Sequence, residues 1–284
     1  MRIGESQPRT VVFVGTEAGG RFIPLGTGFL VSIVHREIEF IFLATAAHVV
    51  DSVVGSEFSI RANRKVGGCD TVKIRKTTAI LHPDHSNDLV IFPSGLRADI
   101  YDIASIALDP ERVTDYREKW QPFLGDEVVA IGLYTSHYGY EKNVPVVRIG
   151  HIAAMPGEPV MTDVGSARGY LVEMRSIGGL SGSPVYSNPP EVVVIDNQIA
   201  YRDLPLHVPI GMMVGYHVVE TAEDQISVPK FQGDKGDGAP KKTPDELHTG
   251  FAVVIPIERV IELMEGDIVT RACEEVAERH YAKR

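Results

Sequence analysis

Cysteine is nearly absent: Cys69 and Cys273 are the only two in 284 residues, and they lie near opposite ends of the chain. A secreted protein of this size would ordinarily carry several disulfides. Two ordinary thiols therefore point to a reducing compartment, and the cytoplasm is the expected location. Any surplus of positive charge is missing too. A net charge of −10 argues against non-specific binding to nucleic acid, which needs a basic surface, and against attraction to membranes. No apolar run approaches the roughly 20 residues of a membrane span. The polar opening, residues 1–10, carries Arg2, Glu5 and Arg9 with no apolar stretch behind it, so no secretory signal is expected. Nucleic acid and membrane are thus both excluded as expected partners.

What the chain does have is 44% apolar residues, enough for a real core. Most sit in short Val- and Ile-rich runs separated by Gly, Pro, Asn or Asp, which reads as strands. Residues 11–14, 28–34, 39–44, 57–61, 72–75 and 88–92 form one series. Residues 127–133, 146–153, 169–174, 184–186, 192–195, 209–218 and 251–255 form a second. Roughly a dozen strands in two runs predict two all-β units of similar size. The expected organisation is an N-terminal unit over 1–110, a connection over 111–124 and a second unit over 125–256. A C-terminal helix over 257–284 follows. In that last segment Val260, Ile261, Met264, Ile268, Ala272 and Val276 recur at three- and four-residue steps, as on one helix face. Gly266 bends or divides that helix, which is expected to pack as a lid on the second unit. Residues 221–248 read as a mobile insertion, because their stretch 233–242 has almost no apolar content and cannot offset its ordering entropy. Their glycines do not make a phosphate loop, because no Gly-Lys-Ser/Thr follows and no strand leads in.

Three short segments carry chemistry. His48 closes the apolar run 40–47, where Ala46 and Ala47 leave its imidazole at the rim of a unit. Asp88 opens the run Leu89-Val90-Ile91-Phe92; a carboxylate there can take the Nδ1–H of a histidine and leave Nε2 free as a base. Asp84 is its near competitor but lies in the Pro83 turn with no strand after it. His82, Asp84 and His85 lack a further ligand group elsewhere, so no metal is expected. The strongest signal is Gly178-Gly179-Leu180-Ser181-Gly182-Ser183-Pro184. A serine hydroxyl needs a base within reach to become a nucleophile. Gly178 and Gly179 allow the unusual dihedrals of a sharp turn, and Gly182 lets substrate approach. The N–H groups of Gly179 and Ser181 are the expected oxyanion donors. Ser183 and Ser176 are rival nucleophiles without the same glycine framing.

In the order His48, Asp88, Ser181, the chain resembles the chymotrypsin/trypsin superfamily and, within it, the bacterial HtrA-like branch. The resemblance rests on Gly26-Thr27-Gly28-Phe29-Leu30-Val31, Ala44-Thr45-Ala46-Ala47-His48-Val49-Val50, Asn87-Asp88-Leu89-Val90 and Gly125-Asp126-Glu127-Val128. It rests also on Gly179-Leu180-Ser181-Gly182-Ser183-Pro184 and on Gly250-Phe251-Ala252-Val253-Val254-Ile255-Pro256. It implies two six-stranded antiparallel β-barrels with a C-terminal α-helix, and a serine endopeptidase working through an acyl-enzyme on a protein or peptide substrate, with no cofactor. Leu180 departs from the family's acidic residue that pairs with a freed N-terminus, so activation of that kind is not expected. Ser183 replaces a glycine, which puts the local turn in question, and no PDZ-sized region follows. The resemblance also implies a substrate-binding set: Arg175, Ser176, Met213, Val214, Gly215 and Tyr216. Arg175, if the register holds, would favour an acidic side chain; the alternative is an arginine turned to solvent or paired with a nearby acid. The strand 212–217 is the expected edge for extended substrate backbone. Two other readings compete. One is a latent or inactive protease-fold protein that a regulatory partner switches on. The other is an α/β-hydrolase, which would need Gly-x-Ser-x-Gly and alternating helices that the chain lacks.

Overall fold

The computed structural model describes residues 3–108, 121–162, 165–175, 178–189, 192–195, 198–201, 207–218 and 248–282. Most of the expected connection 111–124, most of the expected insertion 221–248, and Ser176 lie outside the described residues. Each Val- and Ile-rich run becomes a strand. The first unit contains β1 (Val11–Ala18), β2 (Arg21–His35), β3 (Ile38–Ala46), β4 (Glu57–Asn63), β5 (Cys69–Arg75), β6 (Ile80–Leu81), β7 (Leu89–Pro93) and β8 (Ile106–Ala107). The second contains β9 (Glu127–Gly132), β10 (Val146–Ala154), β11 (Val160–Thr162), β12 (Gly165–Ala167), β13 (Tyr170–Glu173), β14 (Pro184–Ser187), β15 (Val192–Ile195), β16 (Gln198–Tyr201), β17 (Val208–Val218) and β18 (His248–Pro256). Two short helices, α1 (Ser6–Arg9) and α2 (Ala47–Asp51), belong to the first unit. The chain closes with α3 (Ile257–Met264) and α4 (Asp267–Tyr281).

Pairing within the two units differs. In the second, β17, β14, β9, β10, β13 and β18 follow one another, and β17 also pairs with β18, which closes a six-stranded barrel. In the first the order is β5-β4-β1-β2-β3-β7-β6, and the end strands β5 and β6 share no pairing. The expected second closed barrel is therefore an open sheet by its ladder. Its apolar faces still converge on one core, which includes Val12, Phe29, Leu43, Ile60, Leu89 and Ile91. A separate cluster joins the units: Val11 and Phe13 of β1 pack with Val129, Ile131, Leu133 and Tyr186.

The C-terminal helix is split at Gly266, as the glycine predicts; its first half packs on the second unit as expected, and its second half does not. Buried Val260, Ile261 and Met264 continue the first core, and α3 touches β7 as well as β17 and β18. Helix α4 lies on β2 of the first unit, not on the second. There Glu274 meets His35 Nε2 at 2.6 Å and also pairs with Arg36, while the Tyr281 hydroxyl donates to Arg36 O at 2.7 Å. The expected apolar face also shifts. Val269, Cys273 and Ala277 are buried, whereas Ile268, Ala272 and Val276 are exposed. The break at Gly266 resets the helical phase, so a face extrapolated from α3 is one residue out along α4.

Candidate active site

His48 does not end a strand. It is the second residue of α2, the single turn into which β3 runs. Asp88 stands at the entrance to β7 with φ 47 and ψ 42, just after a 3-10 turn over His85–Asn87. An aspartate tolerates this left-handed geometry better than most residues. The conformation turns both Asp88 oxygens back on α2. Oδ2 lies 2.5 Å from His48 Nδ1, Oδ1 accepts the His48 backbone N–H at 2.9 Å, and the Asp88 carbonyl accepts the Ala47 N–H at 3.0 Å. An ionised carboxylate at Nδ1 fixes the ring proton there and leaves Nε2 as the basic nitrogen. Asp84, the competitor, is spent on its own turn, accepting from the Ser86 N–H at 3.0 Å and the Ser86 hydroxyl at 2.7 Å. Those two bonds, the hydroxyl's first, hold its carboxyl below the usual carboxylate range.

The turn that shapes Asp88 is templated by a buried histidine. His82 Nδ1 lies 3.0 Å from both the Asp84 N–H and the Asn87 Nδ2, and its Nε2 lies 2.9 Å from Glu262 Oε2 of α3. The Asp84 carbonyl also lies 3.1 Å from Nδ1, but two closer donors there and a carboxylate facing Nε2 fit the tautomer protonated at Nε2. Both ring nitrogens are engaged within the protein, and His82 serves the fold of this loop.

Ser181 sits half-buried between Gly179, φ +102, and Gly182, φ +84. The glycines matter in ways the sequence did not distinguish. A Cβ on Gly182 would lie 2.0 Å from Thr27 O, so it is the chain's own backbone, not substrate, that comes close there. Gly178 has no positive φ and a Cβ on it would meet only Thr135 Oγ1 at 3.8 Å, so no left-handed conformation is required at that position. Thr27 of β2 is the residue that sequence reasoning missed. Its N–H donates to Ser181 O at 2.9 Å and its hydroxyl donates to Gly179 O at 2.6 Å. The same hydroxyl accepts the Leu133 N–H at 2.8 Å, and Thr27 O accepts from Thr45 Oγ1 at 2.7 Å. One buried side chain thus binds the nucleophile turn to the first sheet and to the end of β9. Leu180 is fully buried in the core of the closed barrel and anchors the turn without an ion pair. Ser183 is fully buried as well, its Oγ without a hydrogen-bond partner among the described residues. It fits because Gly132 lacks a side chain: a Cβ there would lie 1.9 Å from the Ser183 Oγ. That burial removes Ser183 from the rival nucleophiles.

Gly26 is the common neighbour of the two halves. A Cβ on it would lie 2.6 Å from Val49 Cγ1 and 3.2 Å from Ser181 O, which sets the serine beside the helix that bears His48. Among the described residues no hydrogen bond joins Ser181 Oγ to His48 Nε2. Gly178 O faces Thr135, 3.5 Å from its N–H and 3.4 Å from its hydroxyl, so the Gly179 N–H in the same peptide plane points the other way.

Of the remaining expected site residues, Met213, Val214 and Gly215 are buried in β17 and Tyr216 is half-buried. One edge of this strand pairs with β18. The other is taken at Met212 by β14, at Met213 by the nucleophile turn, and at His217 by β11. The expected six-residue edge shrinks to 214–216. Arg175 is exposed and makes no ion pair with a described residue.

No family model and no curated protein matches the chain. Solved structures do. The apo protease domain of MamO from Magnetospirillum magneticum matches with a TM-score of 0.55, covering 92% of this chain and 99% of that one at 12% identity. An inactive-form serine-to-alanine mutant of Rv3671c from M. tuberculosis H37Rv matches with a TM-score of 0.43, covering 91% and 86% at 15% identity. At such identity the MamO likeness is one of fold: all-β and chymotrypsin-like, with a C-terminal helix. No helix among the described residues is long and apolar enough to cross a membrane.

Proposed function

We propose that the chain is a serine endopeptidase with His48, Asp88 and Ser181 as its triad. The observation that carries the reading is the His48–Asp88 couple, held by the 2.5 Å ring contact and by a backbone bond, next to a serine in a turn pinned to the same sheet. In this reading His48 Nε2 takes the Ser181 Oγ proton as Oγ bonds to the substrate carbonyl carbon. The N–H groups of Gly179 and Ser181 receive the oxyanion, a contribution of about 10²–10³ in rate per donor. The imidazolium, steadied by Asp88, returns its proton to the leaving amine. Water, deprotonated by the same imidazole, then releases the acyl group. Substrate backbone would lie along the edge 214–216. The two free thiols suit a reducing, cytoplasmic setting. Cleavage of an unstructured protein substrate by wild type, lost in both Ser181→Ala and His48→Ala, is the expected result. Equal cleavage by Ser181→Ala would dismiss the assignment.

A second reading is a latent protease-fold protein awaiting a partner. One observation favours it: the missing bond between Ser181 and His48, although resting sites are often loose before substrate binds. Wild type that turns over substrate alone removes this reading; turnover appearing only with an added partner supports it.

A further inference from the structure

We infer that Arg148 reads an acidic side chain of the substrate, so that the site selects peptides with Glu or Asp at the residue whose carbonyl is attacked; this rests on the peptidase reading above. Along β10, Val147, Ile149 and His151 are exposed, while Val146, Arg148, Gly150 and Ile152 alternate with them on the shielded face. Ile152 belongs to the core of the closed barrel and Val146 packs against it. Arg148 is therefore an arginine on the inner face of the barrel, a face lined mainly by apolar side chains with the buried hydroxyls of Ser183 and Ser187 among them. Its Nε is buried with no hydrogen-bond partner, and it enters no ion pair among the described residues. A cation held inside without a counter-charge is unfavourable, yet part of the residue stays open to solvent. An anion arriving from solvent would supply the missing charge.

The surroundings leave room for one. Opposite Arg148 on β9 is Ala130, and the next residue on the same face is Gly150. The position has the nucleophile segment at one end and Met174 at the other. At one end Val146 pairs with Gly132, where a Cβ would lie 1.9 Å from Ser183 Oγ and 3.1 Å from Leu180 Cδ2. At the other, a Cβ on Gly150 would lie 3.0 Å from Met174 Cβ. Arg148 lies midway, about 7 Å along the strand from each level. Register thus sets Arg148 on the inner face between the level of Met174 and that of Leu180, the residue before Ser181. A carboxylate there takes two parallel N–H bonds from a planar fork, which an amide of the same shape does not match.

The test separates binding from turnover. In Ser181→Ala, fluorescence anisotropy compares labelled Ala-Ala-Pro-Glu with Ala-Ala-Pro-Gln, whose terminal carboxylates are alike. The Glu peptide is expected to bind at least tenfold tighter. Adding Arg148→Met or Arg148→Gln removes the difference, Arg148→Lys keeps part of it, and Arg175→Met leaves it whole. Equal binding of the two peptides, or no binding of either, overturns the inference even if the Arg148 variants fail to fold. So does a preference that survives Arg148→Met or disappears with Arg175→Met. Selective binding without any turnover by wild type would sink the peptidase reading and leave Arg148 standing. Turnover that needs Ser181 but shows no preference for acids would sink Arg148 alone.

Discussion

At position 27 a single hydroxyl holds two groups that would otherwise be orphaned in the interior: the Gly179 carbonyl and the Leu133 N–H. Valine has the same shape and neither bond. Thr27→Val is expected to cost about 2–4 kcal/mol in urea denaturation, the penalty of leaving two buried backbone groups unpaired. It should also slow reaction of Ser181 with a fluorophosphonate at least tenfold, because the freed carbonyl no longer orients the turn that carries the serine. Thr27→Ser restores both. Full reactivity in Thr27→Val would dissociate the hydroxyl from the turn's geometry. The sequence made His48, Asp88 and Ser181 visible because each stands in a distinctive local run. Thr27 had no such signal: its hydroxyl partner lies 152 positions away. The Gly132–Ser183 fit was hidden for the same reason, since only strand register brings a missing side chain opposite an added one.

Among the elements, α3 acts on the site through one bond. Buried His82 donates from Nε2 to Glu262 while its Nδ1 holds the turn before Asp88. Glu262→Ala is expected to lower stability by about 1–3 kcal/mol, the cost of an unpaired buried donor. Some loss of fluorophosphonate reactivity should accompany it as the turn loosens. Glu262→Gln keeps an acceptor and most of both properties. A Glu262→Ala protein with unchanged stability would mean that water replaces the carboxylate. Strands were readable because their runs were short, β-branched and bounded by turn residues; 192–195 coincides with β15 to the residue. What composition could not convey was phase across an interruption. The exposed Ile268 and Val276 of α4 were assigned to the buried face because the break at Gly266 rotates all that follows.

For the whole molecule, the site depends on two units staying together, and the cluster around Phe13 and Ile131 does that work along with one polar bond. Thr10 Oγ1 donates to Gln7 O at 2.8 Å, so the Tyr186 hydroxyl, 3.1 Å away, must donate to Thr10. Burial pushes the ionisation of Tyr186 far above the ordinary tyrosine range. The sign follows from linkage: the native state holds this proton more tightly than the unfolded chain. Its stabilisation is therefore complete below about pH 10, where free tyrosine titrates, and declines as pH rises further. Denaturation midpoints are expected to fall more steeply above pH 10 in wild type than in Tyr186→Phe. Parallel curves would remove Tyr186 from the alkaline transition. The number of units could be counted from runs of strands; closure of only one of them could not, because it depends on whether end strands meet.

Mapping the adduct of a fluorophosphonate probe by mass spectrometry tests the triad most directly. The account predicts one adduct on Ser181 in wild type, none in Ser181→Ala, and a reaction slowed by about 10⁴ in Asp88→Asn, where the ring proton sits on the wrong nitrogen. An unmodified wild-type chain, under conditions that label a control protease, would contradict it, and so would an adduct carried by any other residue.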